Sequence, residues 1–366
     1  MLHIIGIIIS LFLSTLLFTK KGKSTADLTL AFWLFLISLH LFTYYLLATG
    51  KFIEFPYLLG IEIAMPFIHG PFLYLYTALL TGKKITKLNC ILHFMPTILV
   101  YVVLSNFFLL PVAEKILVYE NEGAGYTTIL KIIHFAVIPS GVIYIVLSLL
   151  LLKEHRKNIS DQLSYVEKIN LSWLNILVIG MGIIWLSVLL GNDITTFTSV
   201  DLFILSIGYF GVKQVGIFTN KIEEQPQHNE VITVPIKYQK SAIGEVLLSE
   251  IHLELLKLMD QKKLFKDPEL NLNDLAKQLN VHSNSLSQVI NMLENKNFYD
   301  YINELRINEF KTIVVSPENQ KFTLLSLAYE VGFNSKTSFN RNFKKSTGLS
   351  PTAYLKQQKI QLQATI

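Results

Sequence analysis

The end of the chain is rich in positive charge. From Gly332 to Ile366 there are six basic side chains and no acidic one: Lys336, Arg341, Lys344, Lys345, Lys356 and Lys359. The stretch before it, from Glu250 to Val331, has nine basic residues against twelve acidic ones. Clustered Lys and Arg side chains bind the phosphates of nucleic acids by electrostatic attraction. A charge run alone is as readily a solvated helix face, so the elements that carry it must decide between the two.

A helix pattern that occurs twice in this region would position the charges. In each copy, apolar residues recur at i, i+3, i+4 and i+7, which makes one buried helix face. They are Leu272, Leu275, Ala276 and Leu279 in the first copy and, 52 residues later, Leu324, Leu327, Ala328 and Val331 in the second. Asn271 and Thr323 stand directly before the two helices. A short polar side chain there caps free backbone N–H groups.

A tight turn and a second helix complete each copy. The turns lie around Asn280 and Gly332. The second helices carry apolar pairs for the core, Leu286 and Ile290 in one copy and Phe339 and Phe343 in the other. We predict helix-turn-helix units at about residues 271–293 and 323–346, joined by a connector helix at about 298–315. In such a unit the first helix braces a second one that enters the major groove of DNA.

This block resembles the DNA-binding domain of AraC/XylS-type transcription regulators. The first copy reads L-x-x-L-A-x-x-L, and the second reads L-x-x-L-A-x-x-V-G-F and then F-x-R-x-F-K-K-x-x-G-x-x-P-x-x-Y. The last pattern comprises Phe339, Arg341, Phe343, Lys344, Lys345, Gly348, Pro351 and Tyr354. Asn295 stands where the family usually has Gly. Because Asn tolerates the left-handed conformation, we expect this departure to be mild.

The resemblance implies which side chains would meet DNA bases. They are Asn284, Ser287 and Gln288 in the first recognition helix and Lys336, Thr337, Asn340 and Arg341 in the second. Arg can bond guanine O6 and N7, and Asn or Gln can bond adenine N6 and N7. Lys344 and Lys345 would contact phosphates. Ser283 and Ser335 are expected N-caps, beside which free backbone N–H groups could also hold a phosphate.

The rest of the chain is too apolar for an ordinary soluble protein. Of its 366 residues, 51% are hydrophobic and 16% charged, and the mean hydropathy is +0.43. The apolar surplus lies in seven runs, at about residues 3–19, 28–49, 57–81, 90–110, 132–152, 173–190 and 199–217. Several reach the roughly 20 residues that a helix needs to cross a bilayer. We therefore predict an all-α chain, with a seven-helix transmembrane bundle followed by a soluble helical domain with two helix-turn-helix units.

Basic residues in the connecting loops indicate the orientation. Loops one, three and five hold Lys20, Lys21 and Lys23, then Lys83, Lys84 and Lys87, then Lys153, Arg156, Lys157 and Lys168. The alternate loops hold fewer basic residues, among them Lys51 and Lys115. This predicts an inner-membrane protein with its N-terminus outside and its C-terminus in the cytoplasm. We expect a membrane domain at 1–218, a linker at 219–243 and a DNA-binding domain at 244–366, whose first helix packs on the first helix-turn-helix unit.

Ionisable and polar side chains within apolar runs are candidate functional groups, because burying them in lipid is costly. We predict a pocket near the outer face for a polar small molecule, formed by Glu62, Asn106, His134 and Asp193. Glu62 and His69 are seven residues apart and would share a helix face. The alternative is that each group only sits at an interface or bonds a neighbouring helix. Pro66, Gly70 and Pro71 should distort this span.

The sequence favours one function and leaves two alternatives open. We expect a membrane-bound one-component regulator that binds double-stranded promoter DNA, with a lipid bilayer, a periplasmic small molecule and a second copy of the chain as further partners. Span seven would pass the signal into the linker. The alternatives are a receptor or transporter-like protein whose tail is a protein adaptor, and an intramembrane enzyme using Glu62 and His69. Catalytic and phosphate-binding motifs are missing and Cys90 is the single cysteine, so we expect no enzyme, metal or cofactor.

Overall fold

The structure, a computed structural model, describes residues 2–165, 171–213 and 245–364. All regular secondary structure in these residues is helical, apart from one isolated β-bridge between Leu163 and Asn271, which confirms the all-α class for them. They form two compact units, one of residues 2–153 and 171–213 and the other of residues 154–165 and 245–364. The predicted linker at 219–243 lies outside the described residues, and the predicted domain boundaries stay predictions.

The first unit contains most of the apolar helices. They are α1 (Leu2–Thr19), α2 (Thr25–Ala48), α3 (Ile61–Ala64), α4 (Pro66–Leu80), α5 (Lys87–His93), α6 (Met95–Val103), α7 (Ser105–Phe108), α8 (Val112–Glu120), α9 (Thr127–Gln162, to Lys153 in this unit), α10 (Ser172–Leu190) and α11 (Asp193–Lys213). Among the described residues, α2, α9, α10 and α11 are long and apolar enough to cross a membrane. The α3–α4 segment would make a fifth span if its bent halves count as one, and α1 is a shorter apolar helix.

The seven-span count is not confirmed, chiefly because the fourth predicted run does not form one helix. Residues 90–110 fall into α5, α6 and α7, with breaks at Phe94 and Leu104. Pro96 lies in the first turn of α6, where a missing backbone N–H is tolerated. Inside a longer helix the same proline would interrupt the hydrogen bonds, so α5 ends before it. Length and composition therefore support four spans, or five with the bent segment.

The third predicted span is bent, as predicted, but of Pro66, Gly70 and Pro71 only Pro66 lies at the bend, and the other two lie inside α4. The stretches Pro56–Ala64 and Pro66–Leu80 meet at 54°. Gly60 precedes α3 with a φ of 91°, and Pro66 begins α4. Glu62 lies on α3 and His69 on α4, so the prediction that they share one helix face is wrong. The seven-residue spacing implies a shared face only along an unbroken helix.

Polar contacts tie the first helices of this unit together, while much of its outer surface stays apolar. The Ser14 hydroxyl of α1 donates to the Ala31 carbonyl of α2 at 2.9 Å, and His3 Nδ1 lies 2.8 Å from the buried Asp201 carboxylate of α11. Large apolar side chains are nevertheless exposed, with Leu190 75% and Ile132 63% exposed. Only 28% of the most apolar stretch of α11 is buried.

The second unit contains the end of α9 and the C-terminal helices. These are α12 (Glu245–Lys262), α13 (Leu272–Gln278), α14 (Ser283–Leu293), α15 (Phe298–Val314), α16 (Leu324–Glu330), α17 (Lys336–Thr347) and α18 (Pro351–Ala364). Leu248, Ile251 and Leu255 of α12 are buried in one cluster with Leu286, Val289 and Ile290 of α14. The predicted packing of this helix on the first helix-turn-helix unit is confirmed.

Helix α15 is the connector between the two copies, and it contributes to both of their cores. Phe298 and Ile302 belong to the core of the first copy, and Ile307 and Phe310 belong to the core of the second. Phe298 and Phe310 are almost completely buried. Removing such an aromatic side chain costs about 3–5 kcal/mol. One helix anchored in two cores holds the copies at a fixed spacing.

Candidate nucleic-acid interface and membrane cavity

The predicted helix starts are built almost as expected. Three side-chain oxygens accept a hydrogen bond from the backbone N–H three residues later: Asn271 from Asp274 at 2.9 Å, Thr323 from Ser326 at 3.1 Å and Ser335 from Ser338 at 3.1 Å. Ser283 is not a cap, because α14 is already helical at this residue. His282 takes the capping role, and its Nδ1 accepts from the Asn284 N–H at 3.2 Å.

Left-handed residues make the turns in both copies. Asn280 has a φ of 52° and Gly332, 52 positions later, a φ of 100°. A Cβ on Gly332 would lie 2.6 Å from the Phe265 carbonyl oxygen, so only glycine fits in the second copy. Asn295 also adopts a left-handed φ, of 53°, which agrees with the interpretation that Asn replaces the family's Gly at little cost.

Helix α17 separates a buried face from a charged one. Ser338, Phe339, Asn342 and Phe343 are buried. The predicted contacts lie on the exposed face: Lys336, Thr337, Asn340, Arg341, Lys344 and Lys345. Lys336, Asn340 and Lys344 are four residues apart and therefore line up along one side of the helix. The predicted phosphate-binding and base-reading groups thus share one surface, which favours DNA binding over a merely solvated helix face.

Two of these basic side chains are tied to the first turn of α15. The Arg341 guanidinium donates to the Tyr299 hydroxyl at 2.6 Å and lies over the Tyr299 ring. The buried Asn342 amide donates to the same oxygen at 2.7 Å. Lys345 Nζ lies 2.6 Å from the Asp300 carboxylate. The connector helix therefore contacts α17 through side chains that would meet DNA.

Helix α14 offers a smaller and uncharged surface. Asn284 is exposed, and Gln288 is half-buried with its amide 3.4 Å from the Met292 sulfur. Ser287 is only 8% exposed, and its hydroxyl lies 3.3 Å from the Asn291 amide nitrogen. The structure therefore presents Asn284 and Gln288 of the predicted readers but turns Ser287 towards the core side of the helix.

A buried polar network holds the connector helix to the stretch before the first copy. Arg306 of α15 is 1% exposed. Its guanidinium donates to the carbonyls of Phe265 and Asp267, both at 2.7 Å. Buried polar groups need such partners, because an unpaired one costs about 1–3 kcal/mol. Arg306 is thus a structural hub of the second unit.

The segment after α9 completes this network. Ser164 is 1% exposed, and its hydroxyl donates to the Leu270 carbonyl at 2.6 Å and accepts from Arg306 at 3.1 Å. Its carbonyl accepts from the Asn303 amide at 3.1 Å. Residues 154–165, which the sequence suggested to be only a basic loop, are in part built into the C-terminal unit.

The first unit contains a cavity of about 1000 Å³. Two of the four predicted pocket residues, His134 and Asp193, line it. His40 and His69 also line it, and they lie 2.9 Å apart between Nδ1 and Nε2. The remaining lining is largely apolar and aromatic, and it comes from α2, α3, α4, α9, α10 and α11 together with nearby loop residues.

The other two predicted pocket residues are elsewhere. The Glu62 carboxylate accepts hydrogen bonds from the Tyr119 hydroxyl and the Gly60 N–H. Asn106 is exposed and is not part of the cavity lining. Glu62 and His69 each bond other neighbours, so the intramembrane-enzyme alternative loses the pairing on which it rested.

Sequence reasoning missed the residues that work through another side chain. Tyr299, Asp300 and Arg306 lie on the connector, whose apolar pattern marks it only as a buried helix. Arg306 follows Asn303 by three residues amid apolar positions, and a charged side chain on a buried face was the available signal. Nothing local distinguishes Ser164 or His40 from other polar residues in apolar surroundings.

Comparison with known proteins supports the resemblance for the C-terminal part. A family described as "Helix-turn-helix domain" matches residues 275–357. The Msm operon regulatory protein of Streptococcus mutans is 28% identical over 88 residues, which are 24% of this chain and 31% of that protein. The melibiose operon regulatory protein of Escherichia coli K12 is 28% identical over 97 residues, 26% of this chain and 31% of that protein.

The chain thus spans about a third of the length of these curated relatives. No solved structure matches the chain. The family match covers both left-handed turns and the exposed cationic helix α17. Residues 275–357 are an AraC/XylS-type helix-turn-helix domain.

Proposed function

We propose that this chain is a membrane-embedded, one-component transcription regulator that binds specific promoter DNA through both helix-turn-helix copies. The observation that carries the proposal is the exposed face of α17, where Lys336, Asn340 and Lys344 line up. A recognition helix with this face can neutralise phosphates and reach base edges in one major groove. The connector helix supports binding of both copies to successive groove segments, about 34 Å apart.

Footprinting tests the DNA-binding part of the proposal. Genome-wide mapping of the DNA bound to the tagged chain gives a target site, and a footprint on it should cover two adjacent major-groove segments. Asn340→Ala should relax the preference at one base pair and cost about 1–3 kcal/mol at the specific site. Asn284→Ala should do the same in the neighbouring segment. A footprint confined to one segment would contradict binding by both copies.

The membrane part rests on the apolar helices and their exposed apolar side chains. Four helices are long enough to span a bilayer, and side chains such as Ile132 and Leu190 are exposed and lie outside the cavity lining. An apolar outer surface of this kind suits contact with lipid. If all seven apolar runs cross the bilayer in the orientation that the basic loops indicate, reporters active only in the periplasm should respond when fused after residues 52, 118 and 195, and stay silent after 22, 85, 158 and 225. The opposite pattern would contradict the orientation.

Helix α9 offers a route for the signal. It runs without interruption from Thr127 to Gln162, so its first part belongs to the first unit and its last part to the second. Ser164, two residues beyond its end, bonds Arg306 and Leu270. A shift of this helix would act on the connector that spaces the two recognition helices. A signal can shift such an equilibrium only through different affinities for its two states.

Ser164→Ala tests this route, because it removes both hydroxyl bonds without adding volume at this buried position. We expect faster amide exchange at residues 265–271 and altered basal transcription from the mapped promoter. Ser160→Ala is the matched control, since the Ser160 hydroxyl donates to the Lys157 carbonyl of its own helix and to no other group among the described residues. Unchanged transcription in Ser164→Ala, with exchange increased, would leave α9 a structural support and not the signal route.

The alternative is a membrane receptor whose helical tail is a protein adaptor. That function predicts that the purified full chain retains no DNA, and that alanine at Lys336 and Lys344 changes nothing measurable. Retention of one promoter class, lost in these variants, separates the two functions directly.

A further inference from the structure

Two histidines in the wall of the membrane-unit cavity form a directed hydrogen-bond chain. Trp33 Nε1 lies 3.3 Å from His69 Nδ1, and His69 Nε2 lies 2.9 Å from His40 Nδ1. His40 and His69 both line the cavity, whereas Trp33 is completely buried behind them. The chain therefore leads from the protein interior to the cavity wall.

The donor and acceptor roles fix the position of each N–H proton in the hydrogen-bonded series Trp33, His69 and His40. An indole N–H can only donate, so His69 Nδ1 must accept and carries no proton. The remaining proton of His69 is then on Nε2, which donates to His40 Nδ1. His40 Nδ1 in turn accepts, so His40 is also neutral and its own proton is on Nε2. The geometry leaves one N–H donor at the end of the chain, on His40 Nε2.

This last donor is without a hydrogen-bonding partner among the described residues. His40 is partly exposed to the cavity, and its ring is held edge-on against Phe197 at 5.3 Å between centroids. Phe197 is itself stacked on Tyr44 at 3.6 Å. The imidazole is therefore held from two sides, by His69 and by an aromatic pair. Polar groups held rigidly in an apolar cavity are the usual means of orienting a ligand.

The rest of the lining indicates the size and polarity of the molecule that the cavity would hold. Trp185, Phe197 and Phe203 lie on the wall, together with aliphatic side chains of α9 and α10. The volume of about 1000 Å³ is at the upper end of the roughly 300–1,000 Å³ of small-molecule sites. The charged lining residues are Glu122, Lys131 and Asp193, which lie in the loop before α9, in the first few residues of α9 and at the start of α11. The site thus suits a mainly apolar molecule better than the polar one that the sequence suggested.

We propose that this cavity binds an apolar small molecule that carries one hydrogen-bond acceptor, a carbonyl or a carboxylate, and that His40 Nε2–H donates to that acceptor. A cationic amine cannot accept this bond and is excluded as the preferred ligand. The inference rests on the proposed sensing function of this unit and names the class of molecule that it would sense.

Bromine quenching of tryptophan fluorescence tests the proposal on the full chain in lipid nanodiscs. The probes share one alkyl chain and differ in the head group: 10-bromodecanoate, 10-bromo-2-decanone and 10-bromodecylamine. Empty nanodiscs and the variant Trp185→Phe separate binding in the cavity from partition into lipid. We expect saturable quenching of Trp185 by the carboxylate or the ketone, at least tenfold tighter than by the amine. The arm that saturates first tells a charged acceptor from a neutral one.

The variants at His40 separate the hydrogen bond from the shape of the site. His40→Phe keeps a ring but removes the donor, and should weaken the acceptor probes about tenfold, which corresponds to ~1.4 kcal/mol. His40→Gln supplies an amide donor and should recover part of the affinity. His93→Phe, a histidine outside the cavity lining, should bind as the unmodified chain does. Quenching that never saturates, equal binding of the amine, or no effect of His40→Phe would each overturn the proposal.

A DNA footprint with the same nanodisc preparations distinguishes failure of this inference from failure of the proposed function. A preparation that protects promoter DNA but binds no probe would contradict the proposed class of ligand and leave the proposal of DNA binding intact. Saturable binding that His40→Phe weakens, in a chain that protects no DNA, supports the site and contradicts the regulator.

Discussion

The recognition helix of the first copy, α14, carries no charged residue, whereas α17 of the second copy carries four basic ones. The two copies share their caps, their left-handed turns and the spacing of their apolar residues. They differ in what surrounds them. The first copy packs on α12 and follows the stretch that bonds Ser164, while α17 of the second bonds the first turn of the connector.

This difference shows that a duplicated fold need not mean a duplicated task. In the second copy, Lys336 and Lys344 are exposed and would supply the salt-dependent attraction to phosphates. The first copy offers Asn284 and Gln288, which can read bases but attract no anion by charge. Leu270 and Asn271, directly before the first copy, contact the segment after α9, so under the proposed α9 route a signal would arrive at the first copy.

Removing the hub between the copies should have the largest effect. Arg306→Ala leaves the buried carbonyls of Phe265 and Asp267 without a partner, so we expect a loss of about 3 kcal/mol or more in the free energy of unfolding of this unit. Arg306→Lys keeps the charge but not the planar guanidinium that bonds both carbonyls, so its loss of unfolding free energy should be smaller than that of Arg306→Ala. Amide exchange should rise first at residues 265–271. A loss no larger than that of Lys311→Ala, on the same helix, would contradict the role of Arg306.

Removing charge should affect only the second copy. In the double variant Lys344→Ala with Lys345→Ala, the slope of log affinity against log salt should fall by about 1.8, since each lost phosphate contact removes about 0.9. Affinity should fall for all DNA sequences alike. The double variant Asn284→Ala with Gln288→Ala is the control in α14, where we expect a changed base preference at an unchanged slope. Equal slopes in both variants would remove the distinction between the copies.

Freeing a paired lysine should strengthen DNA binding modestly. Lys345 is held by Asp300 at 2.6 Å, so Asp300→Asn releases it and removes a negative charge beside α17. We expect an affinity gain of about two- to fivefold, as for an exposed ion pair. Glu304→Gln is the control on the same connector, because Glu304 pairs with Lys296 and not with a residue of α17. A loss of affinity in Asp300→Asn would mean that the pair orients α17 for binding.

The smallest expected effect is a pH dependence near the first copy. Burial alone would raise the pKa of Glu309, but hydrogen bonds from Lys263 and Lys266 outweigh it and lower this pKa. The resulting stabilisation, about 0.5–1 kcal/mol, is present at neutral pH and is lost as the pH falls through the carboxyl range towards the lowered pKa. Thermal unfolding of the chain from pH 8 to pH 4 should show this loss, and Glu309→Gln should abolish it. Glu330→Gln, at an exposed position, should not.

Local periodicity and turn chemistry were enough to predict several features of the structure from the sequence. The i, i+3, i+4 spacing of apolar residues fixes the buried faces of α13 and α16, and short polar side chains fix their caps. Pro66 and its neighbours indicated a distorted helix, and the segment is bent by 54°. The cationic face of α17 follows from residue types on a helix of known period. In each case the cause lies within a few residues.

Contacts between elements that are far apart in the chain depend on the tertiary fold and could not be predicted from the sequence. Ser164 and Arg306 are separated by 142 residues, and no local pattern predicts that they meet. The bend at Met65 moved Glu62 away from His69, and the packing of α2 against α4 brought His40 to it instead. Burial turned Ser287 inward although its residue type suited DNA. These outcomes depend on how helices pack against one another, because the position and burial of a packed side chain are set by the residues that surround it in space.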